Sequence, residues 1–495
     1  MTHAPLSMVP PAAEDPAATP ARCGVLLIGA GPACLFAADQ LRLAGVPDVI
    51  VVEKGKPMPA RTCPADAACE CPLCDVLEGE GGAGSFSDGK ITLSATRGTH
   101  GKQLFGGPQE ELLAEVEATV RAFAPGGISY PPVPALTALT GHEESGLRFE
   151  SYPLLHVGSD GIRRFGEGYS AFLRNNGVRI LTGVEARELL VDGGHAAGAV
   201  LYERRSRRTW PLHADTVVVG AGLVGTAWLE NQLRAHGIAL ATGPADIGIR
   251  LETSAAALEP FIGEFYDFKI TQTSSAGLTV RSFCVNGNGF IVSEYHRPLG
   301  IRAVNGHSFL DRRSGRSNLA ILATIDQSVT ADPKGYVRQV ARDVNAAAAG
   351  YPGRQNLAGF LPNGSTGPPL GVQGSNPQDP ASPVTPTAPA SAVRGVRRLH
   401  PRARRCAPPG PRRRHAHLRT GDQVLQLPSA GEPADLGMHR DHRSVRRRER
   451  RRLHRQPVRR RTRRDHRRPC HRRPPRRRPL TGTALRPAGG QHRAA

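Results

Sequence analysis

Two glycines that follow an apolar run are the first residues whose spacing suggests chemistry. The run Val25–Ile28 shows no alternation, as in a parallel strand buried on both faces, and Gly29 and Gly31 come directly after it. Glycine permits the positive φ of a tight turn and lets a phosphate approach the backbone closely. A helix that starts there directs free N–H groups and its positive dipole end at the turn. The pattern therefore predicts a pyrophosphate-binding turn.

A carboxylate completes this motif. A second apolar run, Val49–Val52, ends in Glu53, near the offset of about 20 residues at which an acid accepts hydrogen bonds from a ribose diol. Cys34 replaces the third glycine of G-x-G-x-x-G, and it is still small enough to let helix and strand pack closely. Because strand, turn, helix, strand and acid occur in order, the segment predicts an ADP-binding βαβ unit. A βαβ unit without a nucleotide is the weaker interpretation.

Four cysteines follow within twelve residues, and three interpretations of them stay open. Zinc sites usually draw on two well-separated pairs, so this spacing is cramped for a metal, and none is expected. A C-x-x-C pair next to a redox cofactor could shuttle electrons as a dithiol. Reduced thiols in a loop are the favoured alternative. The cysteines are Cys63, Cys69, Cys71 and Cys74.

A glycine-rich segment, 79–90, comes next. Its five glycines alternate with Ser85, Ser87, Asp88 and Lys90. Such a loop can approach a ligand closely while it offers N–H donors and a cation, whereas a flexible linker seldom carries Phe, Asp and Lys in so compact a unit. The segment predicts a ligand-binding loop.

The sequence Gly-Gly-Ala-Gly-Ser-Phe-Ser-Asp-Gly-Lys of residues 81–90, preceded by the C-x-x-C pair, resembles the signature of the bacterial FAD-dependent dehydrogenases known as NAD(P)/FAD-dependent oxidoreductases. That family is similar to the p-hydroxybenzoate-hydroxylase and fumarate-reductase branch of two-domain flavoproteins. The resemblance covers residues 22–360. It implies transfer of a hydride or two electrons between a small-molecule substrate and FAD, with NAD(P)H as a further candidate partner. A flavin–dithiol reductase that uses Cys71 and Cys74 is the alternative.

The resemblance also implies which residues contact FAD. The first glycines would hold the pyrophosphate, Glu53 the ribose, the second glycine segment the ribityl chain or ring, and the backbone of Val184 the adenine. The expected cofactor-binding residues are Gly29, Gly31, Pro32, Ala33, Glu53, Lys54, Gly82, Ala83, Gly84, Ser87, Asp88, Val184, Gly220, Ala221 and Gly222.

A second glycine motif, 220–225, is a complete G-x-G-x-x-G and has two interpretations. It could open a second Rossmann domain for NAD(P)H. However, short β runs joined by Asp-Gly-Gly precede it, as in an antiparallel meander, and no clear strand with an acid follows about 20 residues later. The favoured interpretation is that this turn closes the FAD-binding domain.

The expected fold class is α/β, with a Rossmann-like FAD-binding domain, built from a parallel sheet and an antiparallel meander, and a second mixed α+β substrate domain. The expected FAD-binding parts are 22–100 and 156–250, and the expected substrate or cap parts are 101–155 and 251–362. Residues 1–21 and a low-complexity Arg/Pro-rich tail, 363–495, are expected to be disordered.

Catalytic residues cannot be assigned from the sequence, and the candidates are Lys90, His307, Cys71 and Cys74. Lys90 or a backbone N–H group could stabilise the negative charge of reduced flavin. His307 and Glu294 could act as acid or base, although a hydrogen-bonded histidine in a surface turn is favoured. Arg250 is expected either to pair with Glu252 or to contact an anion.

The net charge of +22 over 495 residues is unevenly distributed. Residues 391–495 hold 33 arginines, no lysine and 6 acidic residues, so this stretch carries +27 and the remainder −5. The 135 residues after Phe360 contain no Phe, Trp, Tyr or Ile, so they can bury little. An out-of-frame translation of GC-rich DNA has this composition. We hypothesise a frameshift near residues 364–391, which could leave an inactive flavoprotein.

The rival interpretation of the tail is a basic arm that binds nucleic acid non-specifically through counterion release. The N-terminal residues, rich in Pro and Ala, resemble neither a signal peptide nor an anchor, and no run of about 18 apolar residues occurs. The clustered cysteines are unlike a secreted disulfide framework, so a cytoplasmic location without a membrane partner is expected. The sequence does not predict an oligomeric state.

Overall fold

A computed structural model of the chain describes residues 20–63, 71–95, 109–131, 146–274, 276–357 and 424–426. All of these residues belong to one compact unit of the chain. The predictions for the N-terminal segment up to residue 19, for Cys69 and for all of the tail except residues 424–426 therefore lie outside the described residues.

The described part of the chain contains six helices and eighteen strands. The helices are α1 (Pro32–Leu43), α2 (Gln109–Phe123), α3 (Gly158–Asn175), α4 (Thr226–Ala235), α5 (Ala255–Phe265) and α6 (Pro333–Ala347). The strands are β1 (Arg22–Ile28), β2 (Val49–Glu53), β3 (Lys90–Thr92), β4 (Ile128–Tyr130), β5 (Arg148–Ser151), β6 (Leu154–His156), β7 (Arg179–Thr182), β8 (Val184–Asp192), β9 (His195–Glu203), β10 (Thr209–Val219), β11 (Ala245–Ser254), β12 (Phe268–Thr273), β13 (Thr279–Asn286), β14 (Phe290–His296), β15 (Ile301–His307), β16 (Arg316–Ile325), β17 (Gln355–Asn356) and β18 (Val424–Gln426).

The first sheet has six strands in the order β7-β2-β1-β10-β9-β8. Strands β7, β2, β1 and β10 run parallel, whereas β9 and β8 continue from β10 as an antiparallel meander. This confirms the predicted fold class, a parallel sheet with an antiparallel meander.

The centre of this sheet is buried on both faces, which explains the apolar run without alternation. On one face Leu27 and Val51 pack in a cluster with Leu35 of α1 and Tyr169 of α3. On the other face Leu26 belongs to a cluster that the meander covers. Helix α2 also adds a buried side chain, Val120, to the α1 side.

The second sheet has seven strands in the order β17-β18-β11-β16-β13-β12-β5, and its neighbouring strands are antiparallel. Helix α5 covers one face of it with Ile262 and Phe265, which cluster with Phe268 and Leu319. A two-stranded sheet, β14-β15, and a three-stranded sheet, β3-β6-β4, complete the described architecture. This region has the mixed α+β architecture that was predicted, and its role in binding the substrate stays a prediction.

The second glycine motif follows β10, an interior strand of the first sheet. Strand β10 lies parallel to β1 with Val219 opposite Ile28, and the Gly220 N–H group donates to the Ile28 carbonyl oxygen at 2.9 Å. The two glycine turns are therefore neighbours at the same sheet edge. The strand before the motif belongs to the first sheet rather than to a second Rossmann domain, as the favoured interpretation predicted.

Candidate functional site

The turn between β1 and α1 consists largely of backbone. Gly29 has a φ of +100°, and a Cβ at this position would lie 2.4 Å from the Gly220 carbonyl oxygen. Its N–H group donates to Val52 of β2 at 2.8 Å. Only glycine satisfies both the conformation and the close approach, so the sequence pattern has a direct steric cause.

The N-terminus of α1 suits the diphosphate of a dinucleotide. Gly31 is the N-cap and makes no side-chain capping bond, and Pro32 and Ala33 are exposed. A Cβ on Gly31 would meet nothing closer than the Gly82 Cα atom at 4.0 Å, so the space beside it is open. The first-turn N–H groups and the dipole of α1 can therefore meet an anion there.

Glu53, the predicted ribose ligand, lies buried at the end of β2. Its carboxylate accepts hydrogen bonds from the N–H groups of Ala30 at 2.9 Å and Gly55 at 2.8 Å. Each oxygen thus has one backbone donor and keeps a lone pair for a hydroxyl group. In this structure Glu53 ties the loop after β1 to the loop after β2.

The second glycine segment packs directly onto the first. The Gly81 N–H group donates to the Ala30 carbonyl oxygen at 2.8 Å, and a Cβ on Gly82 would lie 2.9 Å from the Gly31 Cα atom. Residues Ala83–Phe86 then form a 3₁₀ turn. Two segments that the sequence assigned separately to FAD are therefore in contact around the N-terminus of α1.

Arg61 organises this loop, and sequence reasoning missed it because an arginine in a loop carries no local signal. Its side chain is fully buried, and its guanidinium carbon lies 4.5 Å from the centroid of the Phe86 ring. Burial lowers its pKa to about 10, so it stays charged near neutral pH. Its nitrogens donate to the carbonyl oxygens of Asp75, Val76, Glu80 and Gly82.

Lys90 joins the end of the glycine segment to the second sheet. Its Nζ lies 2.8 Å from an Asp88 carboxylate oxygen and 3.2 Å from one of Asp267, and it donates to the Val285 carbonyl oxygen at 2.6 Å. All three side chains of these ion pairs are buried. These three contacts account for the three N–H donors of the ammonium group.

The opposite charges of the ion-pair cluster, formed by Asp88, Lys90 and Asp267, stabilise one another. Although burial alone would raise it, the pKa of Asp88 lies well below its usual range because Lys90 is adjacent. The pKa of Lys90 is correspondingly raised by Asp267 and Asp88 against the effect of burial. His156 stacks on Tyr266 with centroids 4.1 Å apart, and burial lowers its pKa to about 4, so it is neutral near pH 7.

A chain of polar contacts continues from Asp88 into the second sheet. Asn286 donates to Asp88 at 2.9 Å and accepts a hydrogen bond from Arg250 at 2.9 Å. Arg250, which is fully buried, also donates to Asn318 at 2.7 Å. A Cβ on Gly306 would lie 1.9 Å from the Asn286 Oδ1 atom, so glycine is required beside this contact.

Two residues at this junction have strained backbones. Tyr266 and Cys284 both have positive φ, at +54° and +49°, which side chains of this size rarely adopt. Cys284 lies at an irregularity in the pairing of β13, and its thiol donates to Asp88 at 3.2 Å. Burial raises the pKa of this thiol to about 12, so it is not a thiolate.

One expectation for the second sheet is wrong, and one of two alternatives is not found. The Arg250 side chain donates to Asn286 and Asn318, while the Glu252 carboxylate lies 3.2 Å from Arg316, so contact of Arg250 with an anion stays a prediction. His307 is not in a surface turn, because it is buried at the end of β15. Its Nε2 atom has no hydrogen-bond partner among the residues that the structure describes, and burial lowers its pKa. Glu294 is also buried.

The described cysteines of the cluster differ in exposure. Cys63 is exposed, Cys71 partly buried and Cys74 buried. Arg297 donates to the Cys71 carbonyl oxygen at 2.7 Å, and the Cys74 N–H group donates to Glu78 at 3.0 Å. Within the described ranges no group of three His, Cys, Asp or Glu side chains is arranged to hold a metal ion.

The remaining predicted contacts lie around the same sheet edge. Lys54 pairs with Glu78, the Ser87 hydroxyl donates to Gly84 at 2.7 Å, and Val184 starts β8. Gly222 has positive φ with open space around it. None of the described helices is long and apolar enough to span a membrane.

A family model described as FAD binding domain matches residues 24–294. No curated protein matches the sequence. Among solved structures, L-amino acid deaminase from Proteus vulgaris has 15% identity and a TM-score of 0.29, with 49% of this chain and 56% of that chain covered. Glycerol-3-phosphate dehydrogenase from Bacillus halodurans, complexed with FAD, has 14% identity and a TM-score of 0.31, with 65% and 52% covered. The chain thus spans little more than half the length of either protein.

Proposed function

This chain belongs to the FAD binding domain family, and on that premise we propose that it is an FAD-dependent oxidoreductase. In this proposal it transfers a hydride or two electrons between FAD and a small-molecule substrate. The observation that carries the proposal is the open N-terminus of α1, where Gly29, Gly31 and Gly82 place three backbone segments together without side chains.

The proposed cofactor contacts follow from this geometry. The N–H groups of the first turn of α1 would bind the diphosphate, and the free lone pairs of Glu53 would accept the ribose hydroxyls. The loop from Gly82 to Asp88 would line the ribityl chain or the ring. Bound FAD supplies the two-electron chemistry, so the protein contributes binding, orientation and charge.

We assign Lys90 a positioning role rather than direct contact with the cofactor. Its three donors are used by Asp88, Asp267 and Val285, so none is left for a ligand. The side chain instead holds the glycine segment against the second sheet. The charge of Lys90 would reach the cofactor only through the position of that segment.

The substrate would bind over the second sheet, and NAD(P)H remains a candidate partner. We keep the cytoplasm as the proposed location, because clustered cysteines are unlike a secreted disulfide framework. No contact in the described residues favours the alternative flavin–dithiol reductase over the simpler oxidoreductase.

A visible spectrum of the full-length chain tests the proposal. After incubation with FAD and gel filtration, the folded protein should keep a flavin absorbance near ~450 nm. Far-ultraviolet circular dichroism serves as the control for folding. A folded sample that stays colourless and takes up no FAD would overturn the assignment.

A further inference from the structure

The two faces of the seven-stranded sheet differ in character. Phe268 and Ile270 of β12 belong to the cluster that α5 covers. Because side chains alternate along a strand, Lys269 lies on the opposite face. Its cross-strand neighbours there are Glu150 of β5, with which the register pairs it directly, and Phe283 of β13, since the register pairs Thr271 with Arg281. This second face carries charge and an aromatic ring.

Lys269 is the exception among the lysines in the described ranges. Four other lysines each contact a carboxylate, whereas no hydrogen bond or ion pair joins the ammonium group of Lys269 to a described residue. The paired lysines are Lys54 with Glu78, Lys56 with Asp75, Lys90 with Asp88, and Lys334 with Glu230.

Aromatic rings surround this ammonium group. The Lys269 Nζ lies 4.1 Å from the centroid of Phe283 and 5.9 Å from that of Tyr152. A cation over ring faces gains from the ring quadrupole, but the rings offer it no counter-charge. The residue is only partly buried.

Lys269 shares its nearest acid with another lysine. This acid, Asp267, is already bound by Lys90 at 3.2 Å. The nearby Arg281 cation is paired with Asp246 at 2.6 Å. Burial, with the Arg281 cation, outweighs the attraction of Asp267 and lowers the pKa of Lys269. A partly buried cation in this setting is stabilised by an anion.

We infer that Lys269, Phe283 and Tyr152 form a subsite for an organic anion, namely a carboxylate joined to an apolar or aromatic body. The ammonium group would form a charge-assisted hydrogen bond with the carboxylate, and the two rings would contact the apolar part. That this anion is the substrate rests on the proposed oxidoreductase function, whereas anion binding itself does not.

The position of the subsite links it to the proposed cofactor loop. Asp267 lies two residues before Lys269 and bonds to Lys90, which in turn bonds to Asp88 at the end of the glycine segment. A carboxylate at Lys269 would therefore sit one side chain away from the contact between loop and sheet. Because of this connection, we favour a role of the subsite in substrate binding over an anion site that is unrelated to the proposed reaction.

Benzoate is the probe for this subsite, and benzyl alcohol is its neutral counterpart. Dissociation constants are measured by calorimetry on the full-length chain, as wild type, Lys269→Met, Lys269→Arg and Lys334→Met. Lys269→Met removes the charge but keeps an apolar stem. Lys334→Met makes the same change at a lysine on α6. Because the arginine-rich tail is present in every variant, its non-specific binding of anions cancels in the comparison.

We expect benzoate to bind the wild type and Lys269→Arg similarly and to bind Lys269→Met at least about tenfold more weakly. Lys334→Met should match the wild type, and benzyl alcohol should bind weakly to all four. Three results would overturn the inference. Lys269→Met could bind benzoate as tightly as the wild type does, the wild type could bind benzyl alcohol as tightly as benzoate, or the wild type could fail to bind benzoate. If Lys269→Met fails to fold, Lys269→Gln takes its place.

The two proposals fail separately. A colourless protein that binds benzoate through Lys269 would remove the oxidoreductase and leave the anion subsite. A flavin-containing protein whose affinity for benzoate does not depend on Lys269 would remove the anion subsite and leave the oxidoreductase.

Discussion

The glycine turns at the edge of the first sheet and the ion-pair cluster beside the second sheet bound the proposed FAD site, and they are built in opposite ways. The turns are made of backbone, and they require that neither Gly29 nor the nearby Gly82 carry a Cβ atom. The cluster is made of side chains, and its requirement is charge balance between Lys90 and residues up to 177 positions away. The first region should therefore fail by steric clash and the second by loss of a counter-charge.

The largest effect is expected for Gly29→Ala. The added Cβ meets the Gly220 carbonyl oxygen at 2.4 Å, and φ is +100°, so we expect loss of FAD binding and destabilisation by about 3 kcal/mol or more. FAD content and urea unfolding measure the two effects. Gly45→Ala is the matched control, because Gly45 also has positive φ but no atom within 4 Å. Equal behaviour of both variants would contradict the steric account.

Lys90→Met should have the next largest effect. It leaves Asp88 and Asp267 buried without their cation, which costs about 3–5 kcal/mol in the free energy of unfolding. Lys334→Met breaks a pair that is far more exposed and should cost about 1 kcal/mol at most. Adding Asp267→Asn to Lys90→Met should recover part of the loss. A cost for Lys90→Met no greater than that for Lys334→Met would show that the cluster is not held by charge.

Acid should weaken the second region through His156. Its pKa is about 4 in the folded protein, against about 6.5 in an unfolded chain, because burial disfavours the imidazolium. Between these values the unfolded chain binds more protons, so stability is lost as the pH falls from 6.5 towards 4. From pH 7 to 4.5 we expect the wild type to lose about 2 kcal/mol more than His156→Gln in urea unfolding. The prediction would be refuted if the wild type and His156→Gln lost the same free energy of unfolding over this pH range.

Cys71→Ser should have the smallest effect. Cys71 is partly buried and belongs to neither of the two regions compared above. If the thiols are not a redox partner of the flavin, both wild type and variant should take up about two electrons per FAD in a dithionite titration. Uptake of about four electrons by the wild type, reduced to about two in Cys71→Ser, would establish the flavin–dithiol reductase instead.

Local patterns predicted the βαβ unit well. The helix predicted after the first glycine turn occupies Pro32–Leu43, because Pro32 can take the first helical position, where its missing N–H costs nothing. The meander and the role of the second glycine motif were also predicted, since turn residues and strand periodicity are both local signals. The buried Arg61 was not predicted, because its carbonyl partners become neighbours only when the loop is folded.

The side chains of the candidate site also divide into local features, which were predicted, and long-range contacts, which were not. Asp88 and Lys90 were predicted as part of a ligand-binding loop, but their partners on β13 and before β12 were not. The pairing of Arg250 with Glu252, one of the two alternatives, is not found, because residues two apart on one strand share a face without having to bond to each other. Which residue meets Arg250 depends on the register between strands.

The sequence by itself determined the dinucleotide-type turn, the parallel strands that flank it and the glycines that bring two loops together. These features follow from backbone conformation and from periodicity within a few residues. Only the tertiary structure decided that Lys90 is saturated by two carboxylates and a backbone carbonyl, and that the Lys269 ammonium group pairs with no carboxylate among the described residues. The physical reason is that charge balance depends on distances between strands remote in sequence, which the packing of the sheets sets.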